Sequence, residues 1–162
     1  KWQCGTLQVD FNLPGRFDST FVGADGSKHT PVLLHRAALG SFERFIGILL
    51  ENYEGKLPLW LSPTQTVIAA ITDEANDYAE ELNKTLLSHK LRTEIDIRNE
   101  QISYKVREHS LNKVPYIVAV GKKEIADKTV SVRKLGSDKN TVMSADDFIK
   151  EIVSGSKNPL DT

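Results

Sequence analysis

TVIAAITDEANDYAEELNKTLLSHKLRTEIDI, residues 66–97, decides the fold class. Its first six residues, TVIAAI, form a continuous apolar run, which suits a strand covered on both faces. Thr72 or Asp73 then caps a helix to about His89, with Ala75, Tyr78, Ala79, Leu82, Leu86 and Leu87 on its buried stripe. Residues 92–97 read as the next strand. Strand, helix and strand joined by short connections predict an α/β layer with parallel strand pairs.

The alternation continues toward the C-terminus. Residues 102–113 predict a helix with Ile102, Val106 and Leu111 roughly along one side. PYIVAV (115–120) is a second fully apolar strand, closed by Gly121, and residues 128–133 alternate strictly as another. Ser144 opens a helix to about Val153, and Asp147 completes a capping box.

Toward the N-terminus the pattern changes. GKLPLWLSPTQ (55–65) carries two prolines and a glycine and reads as a linker, which divides the chain into domains 1–56 and 57–162. Residues 36–53 predict a helix whose stripe is Leu39, Phe42, Ile46, Leu49, Leu50 and Tyr53, with small residues Ala37, Ala38 and Gly40 in its first turn. In GTLQVDFN (5–12), Leu7, Val9 and Phe11 alternate with polar residues, as in a half-buried strand ended by Pro14-Gly15. Residues 19–22 and 31–34 predict two further strands, with a hairpin-type turn at Asp25-Gly26. Three antiparallel strands and one apolar helix read as half of a domain.

Composition bounds the function. The 162 residues carry 40 % apolar and 27 % charged residues with a net charge of −1, the balance of a globular chain rather than a disordered tail. No apolar run reaches membrane-spanning length and no leader pattern opens the chain. One cysteine, Cys4, makes neither an internal disulfide nor a cysteine-based zinc cluster, so a cytoplasmic setting is expected. The chain opens on Lys1 and its one methionine is Met143, which suggests a piece of something longer. The charge is segmented: residues 98–134 hold 9 basic and 4 acidic side chains, +5, while residues 57–97 sum to −4. A localised positive stretch suits a phosphate-bearing partner, and equally a solvated face laced with ion pairs.

Two groups of residues could carry chemistry. Gln3, Cys4, Thr6, Gln8, His35, Ser41, Glu43 and Arg44 form a polar set in the first half. An arginine at the start of an apolar helix suits an anion, although a capping His35 and a surface Glu43–Arg44 pair fit the same residues. A lone histidine is not a zinc site. In the basic stretch, Asn99 and Glu100 follow a strand end, where α/β sheets present ligand sites. Arg107, Lys113, Glu124 and Arg133 lie nearby in sequence. Asn, Arg and Glu read base edges and Lys suits phosphates.

These blocks resemble a known family. WQCGTLQVDFNLP (2–14) and PVLLHRAALGSFERFIGILLENYEGKLPLWLSPTQ (31–65) are similar to the C-terminal part of class II aminoacyl-tRNA synthetases of the threonyl type. RNEQISYKVREHSLNKVPYIVAVGKKE (98–124) resembles their anticodon-binding domain. The resemblance covers nearly the whole chain and fades from Val153. It implies an α/β fold: a three-layer α/β/α domain with a mixed, mostly parallel sheet of about five strands, preceded by an incomplete piece of the antiparallel catalytic sheet with its third-motif helix. It implies that Arg44 stacks on the adenine of ATP, that Gln3 lies near ATP and the reacting carboxylate, and that Cys4, Thr6 and Ser41 line the same pocket. It makes His35 one ligand of a catalytic zinc whose other ligands lie outside this chain, with ATP and Mg as further cofactors of the parent enzyme. Asn99, Arg107, Lys113, Glu124 and Arg133 match anticodon-contacting positions, although Lys113 stands where many relatives carry Arg and loses the bidentate fork. The implied partner is tRNA(Thr), with no membrane and no DNA, and the parent a homodimer through upstream segments. The fragment itself is expected to bind tRNA and not to catalyse. A non-catalytic accessory RNA-binding module, or a prolyl, histidyl or glycyl relative, is the alternative.

Overall fold

The computed structural model describes residues 2–160. The chain divides into two compact units, one ending at Asn52 and the other beginning at Tyr53.

The first unit contains β1 (Thr6–Asp10), α1 (Leu13–Arg16), β2 (Phe21–Val22), β3 (Lys28–His29), β4 (Leu33–Ala37) and α2 (Phe42–Asn52). β1 pairs antiparallel with β4, so that Gln8 faces His35 in register, and β2 pairs with β3 through the Asp25-Gly26 turn. The expected single three-stranded sheet is therefore two separate two-stranded ones. The helix expected from residue 36 also differs. Arg36 and Ala37 end strand β4, His35 lies mid-strand, and α2 starts only at Phe42. Gly40, at φ +76°, breaks the backbone between them. The expected burial is not met either: Leu7 and Phe11 are 61 % and 71 % exposed, and α2 contains no buried residue.

The second unit is built around a five-stranded sheet in the order β6-β5-β7-β8-β9: β5 (Thr66–Ala70), β6 (Thr93–Asp96), β7 (Tyr116–Val120), β8 (Thr129–Lys134) and β9 (Asn140–Ser144). β5 pairs parallel with β6 and β7, whereas β8 runs antiparallel to both β7 and β9. Helices α3 (Asn76–Ser88), α4 (Ile102–Leu111), α5 (Lys122–Asp127) and α6 (Ala145–Gly155) connect and cover the strands. Every residue of β5 is buried, as its unbroken apolar run requires of a central parallel strand. The core joins Ile68, Val118, Val120, Val130 and Val132 of the sheet to Ala79, Leu82 and Leu86 of α3 and to Phe148 and Ile152 of α6. A 3-10 turn, Asp73–Ala75, precedes α3, so the α-helix proper begins later than the sequence suggested. Leu87 turns outward.

In α4 the expected stripe is met only in part: Ile102 and Val106 are half-buried, with Val106 packed against Val67, Val114 and Ile117. Lys105 and His109 are the helix's buried residues, while Leu111 is exposed. At α6 the cap is as expected: Ser144 Oγ accepts the Asp147 N–H at 3.1 Å. The stretch 55–65 is fastened to this unit. Arg92 donates to the carbonyls of Trp60 (2.8 Å) and Ser62 (2.9 Å), and Gln65 Nε2 donates to the Leu59 carbonyl (2.9 Å).

Candidate functional site

In the second unit the chemistry collects on the far ends of the parallel strands and on α4. There β5 and β6 finish in register, Ala69 beside Asp96, and their continuations diverge. Ala70, Ile71, Thr72 and Asp73 from one strand, with Ile97, Arg98, Asn99 and Glu100 from the other, line a hollow of about 260 Å³. Asn99 thus sits beyond strand C-termini, where open α/β sheets present ligands. The buried Thr72 hydroxyl on its rim has no hydrogen-bond partner among the described residues.

Beneath this hollow lies an ionic network. Asp96 is buried and accepts from Arg98 Nη2 at 2.7 Å, Arg98 Nε at 3.0 Å and His109 Nε2 at 2.8 Å. Arg98 also donates to Glu108 at 2.9 Å. The hydrogen bonds from Arg98, more than the one from His109, hold the Asp96 carboxyl well below the usual carboxylate range against the opposing effect of burial. The ammonium of Lys105 donates to the carbonyls of Ala70 (2.8 Å) and Asp96 (3.1 Å). Sequence reasoning missed this network. Its signal is the polar i, i+4 pair Lys105 and His109, which lies on the same face as Ile102 and Val106.

A second hollow, of about 380 Å³, lies between α4 and the sheet and is lined by Ser103, Val106, Arg107, Ser110, Leu111 and Arg133. It brings together Arg107 and Arg133, two of the expected anticodon residues from distant parts of the chain. Arg133 is anchored by Asp138 at 3.2 Å. The hollow's lining combines the apolar Val106 and Leu111 with two guanidinium groups, a mixture that suits an unstacked base and its phosphate. Glu124 has a local task as well: its Oε2 accepts the Gly121 N–H at 3.0 Å. A Cβ on Gly121 would stand 3.1 Å from the Ile71 side chain, a close contact that glycine avoids. Lys113 adopts φ +58°, and its side chain lies beside Gly55 rather than among the lining residues of either hollow.

In the first unit, Gly40 gathers part of the expected set: a Cβ there would lie 3.9–4.0 Å from the backbone oxygens of Gln3 and Cys4 and from Arg44 Cδ. Thr6 lines a neighbouring hollow of about 360 Å³ with Gly5, Leu7, Arg36, Ala37 and Ala38. Ser41 Oγ accepts the Arg44 N–H at 3.2 Å and so caps α2. Arg44 makes no ion pair among the described residues, so the alternative Glu43–Arg44 pair is not formed. His35 Nε2 donates to Asp10 Oδ2 at 3.0 Å, while Asp10 Oδ1 accepts the N–H groups of Asn12 and Leu13. Those two backbone donors, and then His35, lower the Asp10 pKa. Among the described residues no group of three or more His, Cys, Asp or Glu could hold a metal ion, so His35 does not make a zinc centre with its neighbours here.

Both units match known families. The anticodon binding domain family matches residues 65–155, and the tRNA synthetase class II core domain (G, H, P, S and T) matches residues 1–53. The chain belongs to the anticodon binding domain family. Its relatives are threonine–tRNA ligases. That of Ruegeria sp. (strain TM1040) is 57 % identical over 158 residues, covering 98 % of this chain and 24 % of the relative. That of Paracoccus denitrificans (strain Pd 1222) is 59 % identical over 148 residues, covering 90 % and 23 %. The chain thus spans about a quarter of the length of these curated relatives. A solved structure described as the RNA binding domain of threonyl-tRNA synthetase from Cryptosporidium parvum Iowa II aligns with a TM-score of 0.78 at 33 % identity, covering 99 % of this chain and 41 % of that one. No described helix is long and apolar enough to cross a membrane.

Proposed function

We propose that this chain is part of a cytoplasmic threonine–tRNA ligase, a homodimeric enzyme joining threonine to tRNA(Thr) at the expense of ATP. Residues 57–162 read the anticodon, and residues 1–56 contribute one wall of the catalytic domain. The observation that carries this reading is the meeting of Arg107 and Arg133 in one hollow with Val106 and Leu111, inside the domain that matches the anticodon-binding family. Asn99 and Glu124 supply polar groups for base edges, and Lys113 a point charge for phosphate.

In the first unit, Arg44, Gln3, Cys4, Thr6 and Ser41 form one edge of the pocket for ATP and its Mg. Such an edge leaves most of the triphosphate unbound, so this chain alone does not activate threonine. His35 is held by Asp10 through one ring nitrogen, which leaves the other to serve as a single zinc ligand. The described residues around His35 do not complete that site.

Binding to an RNA stem–loop with a threonine anticodon tests the reading. Affinity falls as salt rises, because phosphates are contacted. Arg107→Ala weakens binding by roughly 1–3 kcal/mol. Equal affinity for loops with scrambled anticodons overturns it.

A further inference from the structure

Lys105 is 1 % exposed, which places it among the largest side chains that the protein buries completely, along with Phe148 and Ile68. Burying an ammonium costs stability, and an apolar side chain of similar size often does as well or better. The lysine is placed where its charge has a geometric task. Its two acceptors, the carbonyls of Ala70 and Asp96, are the last residues of two different parallel strands. Beyond them both chains leave the sheet and become the walls of the hollow that holds Asn99. Strand ends leave carbonyls without ladder partners, and one cation here satisfies two of them at once. Asp96 Oδ1, 3.7 Å from the same ammonium, accepts the Arg98 N–H at 3.2 Å, and the Arg98 carbonyl accepts the Glu100 N–H at 2.8 Å. A continuous chain of polar contacts therefore runs from Lys105 through Asp96 and Arg98 to the residue on either side of Asn99.

We propose that Lys105, acting with Asp96, is a positioning residue for base recognition: it fixes the loop 97–100, so that Asn99 meets RNA in one orientation. The proposal rests on the anticodon-reading function above and names what sets its specificity. Lys105 is too deeply buried to meet the RNA itself. Its removal therefore affects which base is accepted and leaves the number of phosphate contacts alone.

Lys105→Met in the full chain separates these effects. In the RNA-free protein, amide hydrogen exchange at Arg98 and Glu100 accelerates while the β7 and β8 amides stay protected. With RNA, discrimination between the threonine anticodon and single-base variants falls roughly tenfold, about the worth of one good base contact. The slope of affinity against salt stays unchanged. Unaltered exchange in the loop overturns the proposal, as does weaker binding with discrimination intact, the mark of a purely structural lysine. If Lys105→Met fails to fold by circular dichroism, Glu108→Gln decides. That variant loosens the Arg98 end of the chain at the surface, and it gives the same two changes in smaller size or overturns the proposal. Absent discrimination in the unmodified chain would overturn the anticodon reading instead, and the exchange arm would still judge Lys105.

Discussion

Two strongly amphipathic helices of equal length, α2 and α6, meet opposite fates. α6 buries Phe148 and Ile152 completely, whereas α2 leaves Phe42 76 % and Ile46 53 % exposed. Their sequences are comparable, FERFIGILLEN against ADDFIKEIVSG. The difference lies in what surrounds them. A hydrophobic stripe states which face a helix would bury, and burial happens only where another element is there to receive it. The second unit has such a sheet. The first has two ribbons of two strands each, too small for a core.

The sharpest way to break this contrast is to empty the core. Phe148→Ala removes a ring packed at a tilt against Tyr116 and should cost about 3–5 kcal/mol in chemical denaturation. Acid comes next. The folded-state pKa of Asp96 is depressed, so its contribution is present above its unfolded value near ~4 and is lost as pH falls through and below that value. The denaturation midpoint of the second unit should therefore begin to drop as pH falls below about 4 and keep dropping at lower pH, and Asp96→Asn should flatten that fall while lowering stability at neutral pH. Ser144→Ala removes the α6 cap at a cost of about 1 kcal/mol. Ile46→Ala, on the exposed stripe of α2, should change the main unfolding transition by no more than about 0.5 kcal/mol. A cost at Ile46 as large as that at Phe148 would erase the distinction.

Much of the second unit was legible because its signals were local or unbroken. TVIAAI announces a strand buried on both faces, and Ser144 with Asp147 announces a helix start. Shorter pieces were not legible: α5 has six residues, and the alternation in β9 is interrupted by polar residues that face solvent. The first unit misled because periodicity at 36–53 merged the end of a strand with a helix. Only the positive φ of Gly40 separates them, and glycine alone does not announce its torsion. For the site, single residue types such as Arg107 and Arg133 could be nominated from sequence. Their meeting in one hollow could not, since it depends on how β8 registers against β7. Lys105 was hidden by the habit of reading buried positions as apolar.

The order of strands also has a consequence for the making of the chain. β5 is the middle of the parallel group, yet its partners β6 and β7 come later, and Thr66 pairs with both Thr93 and Tyr116. At about 5–20 residues per second, a ribosome needs several seconds to go from the first of these strands to the last. During that interval a strand whose every residue ends up buried has an open edge. The acidic stretch that follows it, including Asp73, Glu74, Asp77, Glu80 and Glu81, is made before the missing strand and keeps the nascent segment charged. The time that edge stays open is therefore set by the number of residues between Ala70 and Tyr116 and by the rate at which they are added.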